Sequence, residues 1–440
     1  MKHSEKLSNL EQSWGKKQSD KPFDPNNLDI ESAKAFIQEY IQPLRAELSD
    51  EQIPLESSLG RILSQPIVAL HDVPSANNSA MDGYAFASAA LQNKNLVTLE
   101  VFNKQFAGQA IESEQFINFD PQRHVVRIMT GGLVPPECDS VIAQELVAIE
   151  DQYVRFDTQG VERGQNLRFQ GEEIQAGDVI LNKGKCLSAS DLGLIASLGY
   201  RSVQVYRKIR IAYFSTGNEL TPPGEPLPIG HIYDSNRFIL LGLLESLGCI
   251  GIDLGMVRDE TDLLRAKFHA AIQIADVIIT SGGMSVGEAD FTKTVMNELG
   301  DVAFWSLAIK PGRPIAFGQM TNENHSALLF GLPGNPVAMM VTFTQLVKDM
   351  LLYLGGSDAI SAPFYCAKLD GTRKKRLGRT EFLRGVLYRN SNDELWVRPH
   401  ENQGSGALRS ISESDCFIIL QADIIEYVHG QSVDISAINN

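Results

Sequence analysis

From Ile209 to about Tyr353, short and continuously apolar runs alternate with stretches whose apolar residues recur every three or four positions. Val277, Ile278 and Ile279 typify the first kind, the pattern of a strand buried on both faces of a parallel sheet. On this rhythm strands are expected at 209–214, 250–257, 277–279, 303–309, 315–317 and 328–330. Helices are expected at 237–247 and 261–274, from near Ala289, and from the G-L-P-G-N-P segment to about Tyr353. Gly248 is suited to the left-handed position after a helix, and Asp259 is placed to cap the helix that opens at Thr261. Repeated β-α-β units predict a doubly wound α/β domain with a mostly parallel sheet.

The flanks follow other rhythms. Residues 1–26 are polar and are read as a flexible tail. Ala33, Phe36, Ile37, Tyr40, Ile41 and Leu44 then keep helical spacing, with Asp29 or Ser32 as the cap. Strand-like runs at 97–102, 125–129 and 139–147 predict a small β domain at 71–164, inserted into a discontinuous N-terminal domain of 27–70 and 165–207. The α/β domain occupies 208–356. Residues 357–440 carry short β segments with no helix signal, fitting a C-terminal β barrel or sandwich.

Composition narrows the partners. The formal net charge of -15 argues against nucleic acid or an anionic membrane surface, so an anionic substrate must be held by local cations. The five cysteines include no C-x-x-C pair and the eight histidines show no ligand spacing, which fits a reduced, cytoplasmic protein without a structural zinc site. No signal peptide is evident at the N-terminus, and no uninterrupted apolar stretch approaches the ~18 residues of a membrane span.

Candidate chemistry gathers where strands end. Five loops are rich in small and polar residues: S-T-G-N-E-L (215–220), Y-D-S-N-R (233–237), S-G-G-M-S-V-G-E-A-D (281–290), K-P-G-R-P (310–314) and G-L-P-G-N-P (331–336). In an open α/β sheet ligands lie beyond the carboxyl ends of the strands, so several such loops at one sheet edge predict a pocket. A single loop of this kind is equally a tight turn with no ligand. Lys310 and Arg313 are cations able to grip an oxyanion. Glu219, Asp259 and Asp290 are hard oxygen donors suited to Mg²⁺ shared with phosphate, or else helix caps. Asp82, in S-A-M-D-G-Y-A, sits among uncharged residues and reads either as a desolvated base or metal ligand, or as a turn-forming aspartate. The run Arg373 to Arg376 faces a polyanion or is a solvated surface.

Together, N-S-A-M-D-G-Y-A, M-T-G-G, F-S-T-G-N-E-L, Y-D-S-N-R, the 281–293 loop, A-I-K-P-G-R-P, G-L-P-G-N-P and N-Q-G-S-G occur in an order that resembles the molybdopterin molybdenumtransferase family, which includes the E domain of gephyrin. The resemblance runs from about residue 27 to the C-terminus. It implies insertion of molybdenum from molybdate into adenylylated molybdopterin, with Mg²⁺ as cofactor and release of AMP. It also implies an elongated homodimer whose active site is shared between subunits. By matching position it nominates Asp82, Thr130, Glu219, Asp259 and Asp290 as catalytic, with Glu219 and Asp290 on the metal side. Arg168, Glu173, Ser281, Gly282, Gly283, Ser285, Lys310, Pro311, Arg313, Pro333, Asn335, Arg384 and Ser405 are nominated for substrate. Two departures stand out: Ser306 where many relatives carry Lys, and Glu173 where many carry Asp. The readings of a different class are a molybdopterin adenylyltransferase, which would consume ATP, and a paralogue that binds the pterin without turnover.

Overall fold

The structure is a computed structural model that describes residues 7, 10, 11, 24–92, 94–284, 291–358 and 365–438. The chain forms two compact units: one of Met1–Gln65, Lys183–Leu192 and Ser202–Asn440, the other of Pro66–Asn182 and Gly193–Arg201.

At the centre of the larger unit is a six-stranded sheet in the spatial order Ile250–Val257, Arg210–Thr216, Val277–Ser281, Ser326–Leu332, Pro314–Thr321, Gly300–Ser306. The first four strands are parallel; Pro314–Thr321 runs antiparallel to both neighbours. Every residue of Val277–Ser281 is buried, as its unbroken apolar run requires. Helices cover both faces. Phe36 and Tyr40 of Ile30–Ala46, Leu240 and Leu244 of Asn236–Ser246, and the long helix from Pro336 pack on the face carrying Ile211, Tyr213, Ile279 and Phe330. On the opposite face, Leu264 and Phe268 of Thr261–Ile274 and Val295 and Met296 of Phe291–Leu299 meet Ala212, Phe214, Ile278 and Leu329. The expected doubly wound architecture is therefore present. The helix Pro336–Leu354 is long and apolar enough to cross a membrane, but 83% of its most apolar window is buried in this core.

Two local expectations change. Asp29 caps its helix, accepting from Ser32 N at 3.0 Å. Asp259 does not cap: Glu260 holds the cap position without a side-chain bond, and the Asp259 carboxylate accepts the Thr216 hydroxyl instead. The strand expected at 303–309 is also two strands. Gly300–Ser306 stays in the central sheet, while Ile309–Lys310 leaves it to pair in parallel with Thr380–Glu381. A run of apolar residues marks burial, not which sheet buries it, and this switch carries Lys310 onto the C-terminal region.

In that region Thr380–Arg389, Leu395–Pro399, Tyr365–Leu369, Ser432–Ala437 and Cys416–Leu420 close into a five-stranded barrel through the pairing of Thr380–Arg389 with Cys416–Leu420. A short helix, Leu408–Ser412, breaks the expectation of β structure alone.

The smaller unit is built on a mixed six-stranded sheet ordered Ser140–Ala143, Gly83–Phe86, His124–Ile128, Leu96–Gln105, Tyr153–Asp157, Ala148–Glu150. Its core holds Phe86, Val97, Leu99, Val125, Val154 and Phe156.

Candidate active site

The parallel strands reverse their winding between Arg210–Thr216 and Val277–Ser281, the place where an open α/β sheet leaves a crevice at its carboxyl end. Four of the small-residue loops meet there. Gly282 lies at φ +101°, and a Cβ on it would stand 2.2 Å from the Thr216 carbonyl oxygen, so only glycine fits between the strand ends. Its N–H donates to Leu332 O at 3.1 Å, tying the loop to G-L-P-G-N-P. Asn236 fastens the same two loops from the helix side. Its Nδ2 donates to Ser281 Oγ and to Gly334 O, both at 2.7 Å, and Ser281 Oγ donates on to Pro333 O at 3.3 Å. Because a carbonyl can only accept, Gly334 fixes the orientation of the amide and leaves the buried Asn236 Oδ1 with no partner among the described residues. Asp234, 1% exposed, accepts from Ser215 Oγ at 2.9 Å and faces Arg237 Nε at 3.4 Å. Neither Asn236 nor Asp234 was nominated from sequence. Their motif Y-D-S-N-R was noticed, but a motif does not reveal which member turns inward.

Glu219 and Asp259 flank the next loop. The Glu219 carboxylate folds back over Gly217, with its oxygens 2.8 Å from where a Cβ would sit. Asp259 N donates to Asn218 Oδ1 at 3.1 Å. An open cleft of about 610 Å³ passes Gly217, Asn218, Thr221, His231 and Arg258. Among the described residues no three His, Cys, Asp or Glu side chains converge as a metal cage. Glu219 at a strand end fits the sparser mode of Mg²⁺, which takes one or two carboxylates and completes its shell with phosphate and water. Ser285 and Asp290 lie outside the described residues.

The C-terminal barrel meets this domain at Lys310. Lys310 Nζ lies 3.3 Å from Glu381 Oε1, its neighbour across the strand pair. A cis bond joins Lys310 to Pro311. Arg313 turns away, donating to Asn26 O at 3.1 Å. Ser405 O accepts from Val337 N at 3.2 Å, bringing N-Q-G-S-G against the start of the helix that Asn335 precedes. Arg384 differs from the expectation of a ligand-facing cation. It is 1% exposed, and it donates from Nε to Ser410 Oγ and from Nη2 to Asn402 O and Gly404 O, all at 3.0 Å. These bonds hold the Asn402–Ser405 loop from behind.

In the smaller unit Asp82 Oδ1 accepts from Thr130 N at 2.7 Å and Thr130 Oγ1 at 2.8 Å. The backbone donor first, then the hydroxyl and the Arg127 charge, hold this carboxyl below the usual aspartate range against a small opposing effect of burial. A carboxyl dominated by desolvation would be shifted upward; the Thr130 donors shift this one downward, which favours its charged form. Arg168 donates to Glu172 Oε1 at 2.9 Å and to Glu173 Oε2 at 3.1 Å. The Asp82, Thr130 and Arg168 loops converge, since Ser79 O accepts from Gly131 N at 2.8 Å and Leu167–Arg168 pairs with Asn78–Ser79. Asp72, unnoticed in sequence, anchors the Arg168 loop through Gln170 Nε2 at 2.7 Å and Ala176 N at 2.9 Å.

Comparison with known proteins gives these loops a context. Residues 28–199 match the MoeA N-terminal region (domain I and II), residues 212–353 a probable molybdopterin binding domain, and residues 367–438 the MoeA C-terminal region (domain IV). A molybdopterin molybdenumtransferase of Haemophilus influenzae is 41% identical over 392 residues, 89% of this chain and 94% of that protein. One of Bacillus subtilis is 32% identical over 394 residues, 88% of this chain and 89% of the relative. The crystal structure of a molybdopterin biosynthesis moeA protein from Pyrococcus horikoshii superposes with a TM-score of 0.76 at 26% identity, covering 94% of this chain and 100% of that one. The chain belongs to the molybdopterin molybdenumtransferase family, enzymes of molybdenum cofactor biosynthesis.

Proposed function

We propose that this enzyme inserts molybdenum from molybdate into adenylylated molybdopterin, with Mg²⁺ required and AMP released, as a homodimer in the cytoplasm. The observation that carries the reading is the Asn236-clamped crevice between Ser281-Gly282-Gly283 and Pro333-Gly334-Asn335, lying in the same compact unit as the Lys310 rim. Small residues there let backbone approach a flat, phosphate-bearing ligand closely.

Each nominated group has a task on this reading. Asn236 and Ser281 keep the crevice open at a fixed width, and its glycines admit the pterin and its phosphates. Glu219 and Asp290 hold Mg²⁺, which when bound supplies charge neutralisation at the phosphate that leaves as AMP. Asp259, fixed by Thr216 and Asn218, orients the loop carrying Glu219. The Lys310 rim offers cationic donors to molybdate, with Ser405 beside it. Asp82 with Thr130, and Arg168 with Glu173, offer a second polar surface, suited to a substrate reached from a partner subunit.

The test is AMP release from adenylylated molybdopterin, with and without molybdate, in the presence of Mg²⁺. Molybdate-dependent release is the expected result. ATP consumption with bare molybdopterin would support the adenylyltransferase, and tight pterin binding without release would support a non-catalytic paralogue.

A further inference from the structure

The N-Q-G-S-G loop (402–406), which carries Ser405, runs from the barrel strand Leu395–Pro399 to the helix Leu408–Ser412. Its outer contact is with the α/β domain, where Ser405 O accepts from Val337 N at 3.2 Å. Its inner contacts are made by side chains. Arg384 supports the carbonyls of Asn402 and Gly404. The half-buried Gln403 donates from Nε2 to Arg384 O at 2.9 Å and to His400 O at 2.8 Å, and its Oε1 accepts from Arg384 N at 3.0 Å. The middle of the loop is thereby fastened to the strand Thr380–Arg389.

The entry to the loop is set by His400. Its N–H donates to Arg384 O at 2.8 Å, and its Nδ1 accepts from Asn402 N at 3.0 Å. A side-chain acceptor taking the N–H two residues on is the contact by which Asn and Asp form an Asx-turn, here made by an imidazole. A backbone N–H can only donate, so Nδ1 is the bare ring nitrogen and the ring proton belongs on Nε2. Nε2 lies 3.1 Å from Oε2 of Glu413, the residue that ends the helix Leu408–Ser412. The His400 bond first, and Arg409 after it, hold the Glu413 carboxyl below the usual glutamate range, so it meets Nε2 as an ionised acceptor. One ring nitrogen therefore shapes the turn at the start of the loop, and the other ties that turn to the far end of the helix that follows.

We propose that His400 is a positioning residue for the molybdate side of the reaction: its ring, neutral and protonated on Nε2, fixes the Asn402 turn and thereby where Ser405 stands. The imidazole touches no substrate on this account and acts through the loop. Displacing such a loop weakens the substrate it faces, whereas the Asn236 crevice is held by bonds of its own. This inference rests on the reading of Ser405 as part of the molybdate side.

Three variants of the full-length protein test it. His400→Asn keeps an acceptor for the Asn402 N–H, His400→Leu keeps bulk without an acceptor, and Glu413→Gln keeps an oxygen facing Nε2. In hydrogen exchange read by mass spectrometry, peptides spanning 400–406 should exchange about tenfold faster in His400→Leu and near the parental rate in His400→Asn. In the AMP-release assay His400→Leu should raise KM for molybdate about tenfold and leave KM for the pterin substrate nearly unchanged. His400→Asn should recover most of that loss, and Glu413→Gln should lie between the parent and His400→Leu. Equal defects in His400→Asn and His400→Leu overturn the proposal, because the shared turn would then count for nothing. Unchanged exchange in His400→Leu overturns it as well. Molybdate-dependent AMP release with an unaltered KM in His400→Leu sinks the role of His400 and leaves the insertase reading standing. A parent that releases no AMP sinks the insertase reading. Calorimetric titration with tungstate, weakened in His400→Leu and restored in His400→Asn, would in that case keep His400 as the positioning residue of an oxyanion-binding loop.

Discussion

Two aspartates show how placement decides what a carboxylate does. Asp82 is held ionised chiefly by the Thr130 backbone N–H, with the hydroxyl second. If turnover needs the charged form, that form persists to pH values below the ordinary aspartate pKa of about 3.9. A pH–rate profile for AMP release should therefore show no limb from Asp82 near neutrality, and Asp82→Asn should cut turnover roughly a hundredfold at pH 7. A neutral-pH limb that vanishes in Asp82→Asn would contradict the ionised-acceptor assignment. Asp276 acts on stability instead. Burial pushes its carboxyl upward, but Arg207, bonded at 2.7 and 2.9 Å, and the Arg210 N–H at 2.8 Å outweigh burial and lower it. A depressed native pKa contributes stability that is present above about pH 3.9 and is lost as pH falls through the native value. Asp276→Asn should cost about 2 kcal/mol at pH 7 in urea unfolding and show a flatter decline below pH 4 than the parent.

The elements that could be read from sequence are those whose residues answer to one neighbour at a time. Thr261–Ile274 and Ile250–Val257 occupy the expected ranges because a period of 3.6 or an unbroken apolar run is local information. The break at Ser306 could not be read this way, because Trp305 and Ile309 are both buried although their strands belong to different sheets. In Ser432–Ala437, Val433 and Ile435 alternate with polar residues, again a local signal. In the site, the glycine loops were legible as backbone requirements, whereas the burial of Arg384 depends on Asn402, Gly404 and Ser410 arriving from elsewhere in the chain. Gly282 puts the legible part to a test. Its positive φ and the 2.2 Å approach to Thr216 O mean that Gly282→Ala must move one strand end. The expected cost is about 2–3 kcal/mol in denaturant unfolding, together with a larger proportional loss of pterin affinity. An alanine variant with parental stability would show that the two loops are not held as closely as described.

At the scale of the whole molecule, the proposed function asks a protein of formal charge -15 to admit a dianion. The two demands are met at different distances. On that proposal, beyond a Debye length an approaching molybdate would feel the net negative charge and be repelled, while within a few ångströms it would meet Lys310, whose side chain is 58% exposed. Salt acts mainly on the first of these: raising ionic strength from about 0.01 to 0.1 M shortens the screening length from about 30 to about 10 Å. The long-range repulsion therefore fades while the close contact survives. The rate constant for molybdate association, followed by stopped flow in a salt whose anion binds the rim poorly, should rise over this range, the opposite of the fall shown by a basic protein steering an anion. A rate that drops with salt would mean that the positive rim projects its field farther than the rest of the surface can oppose, so that steering as well as grip would have to be assigned to the cations around Lys310.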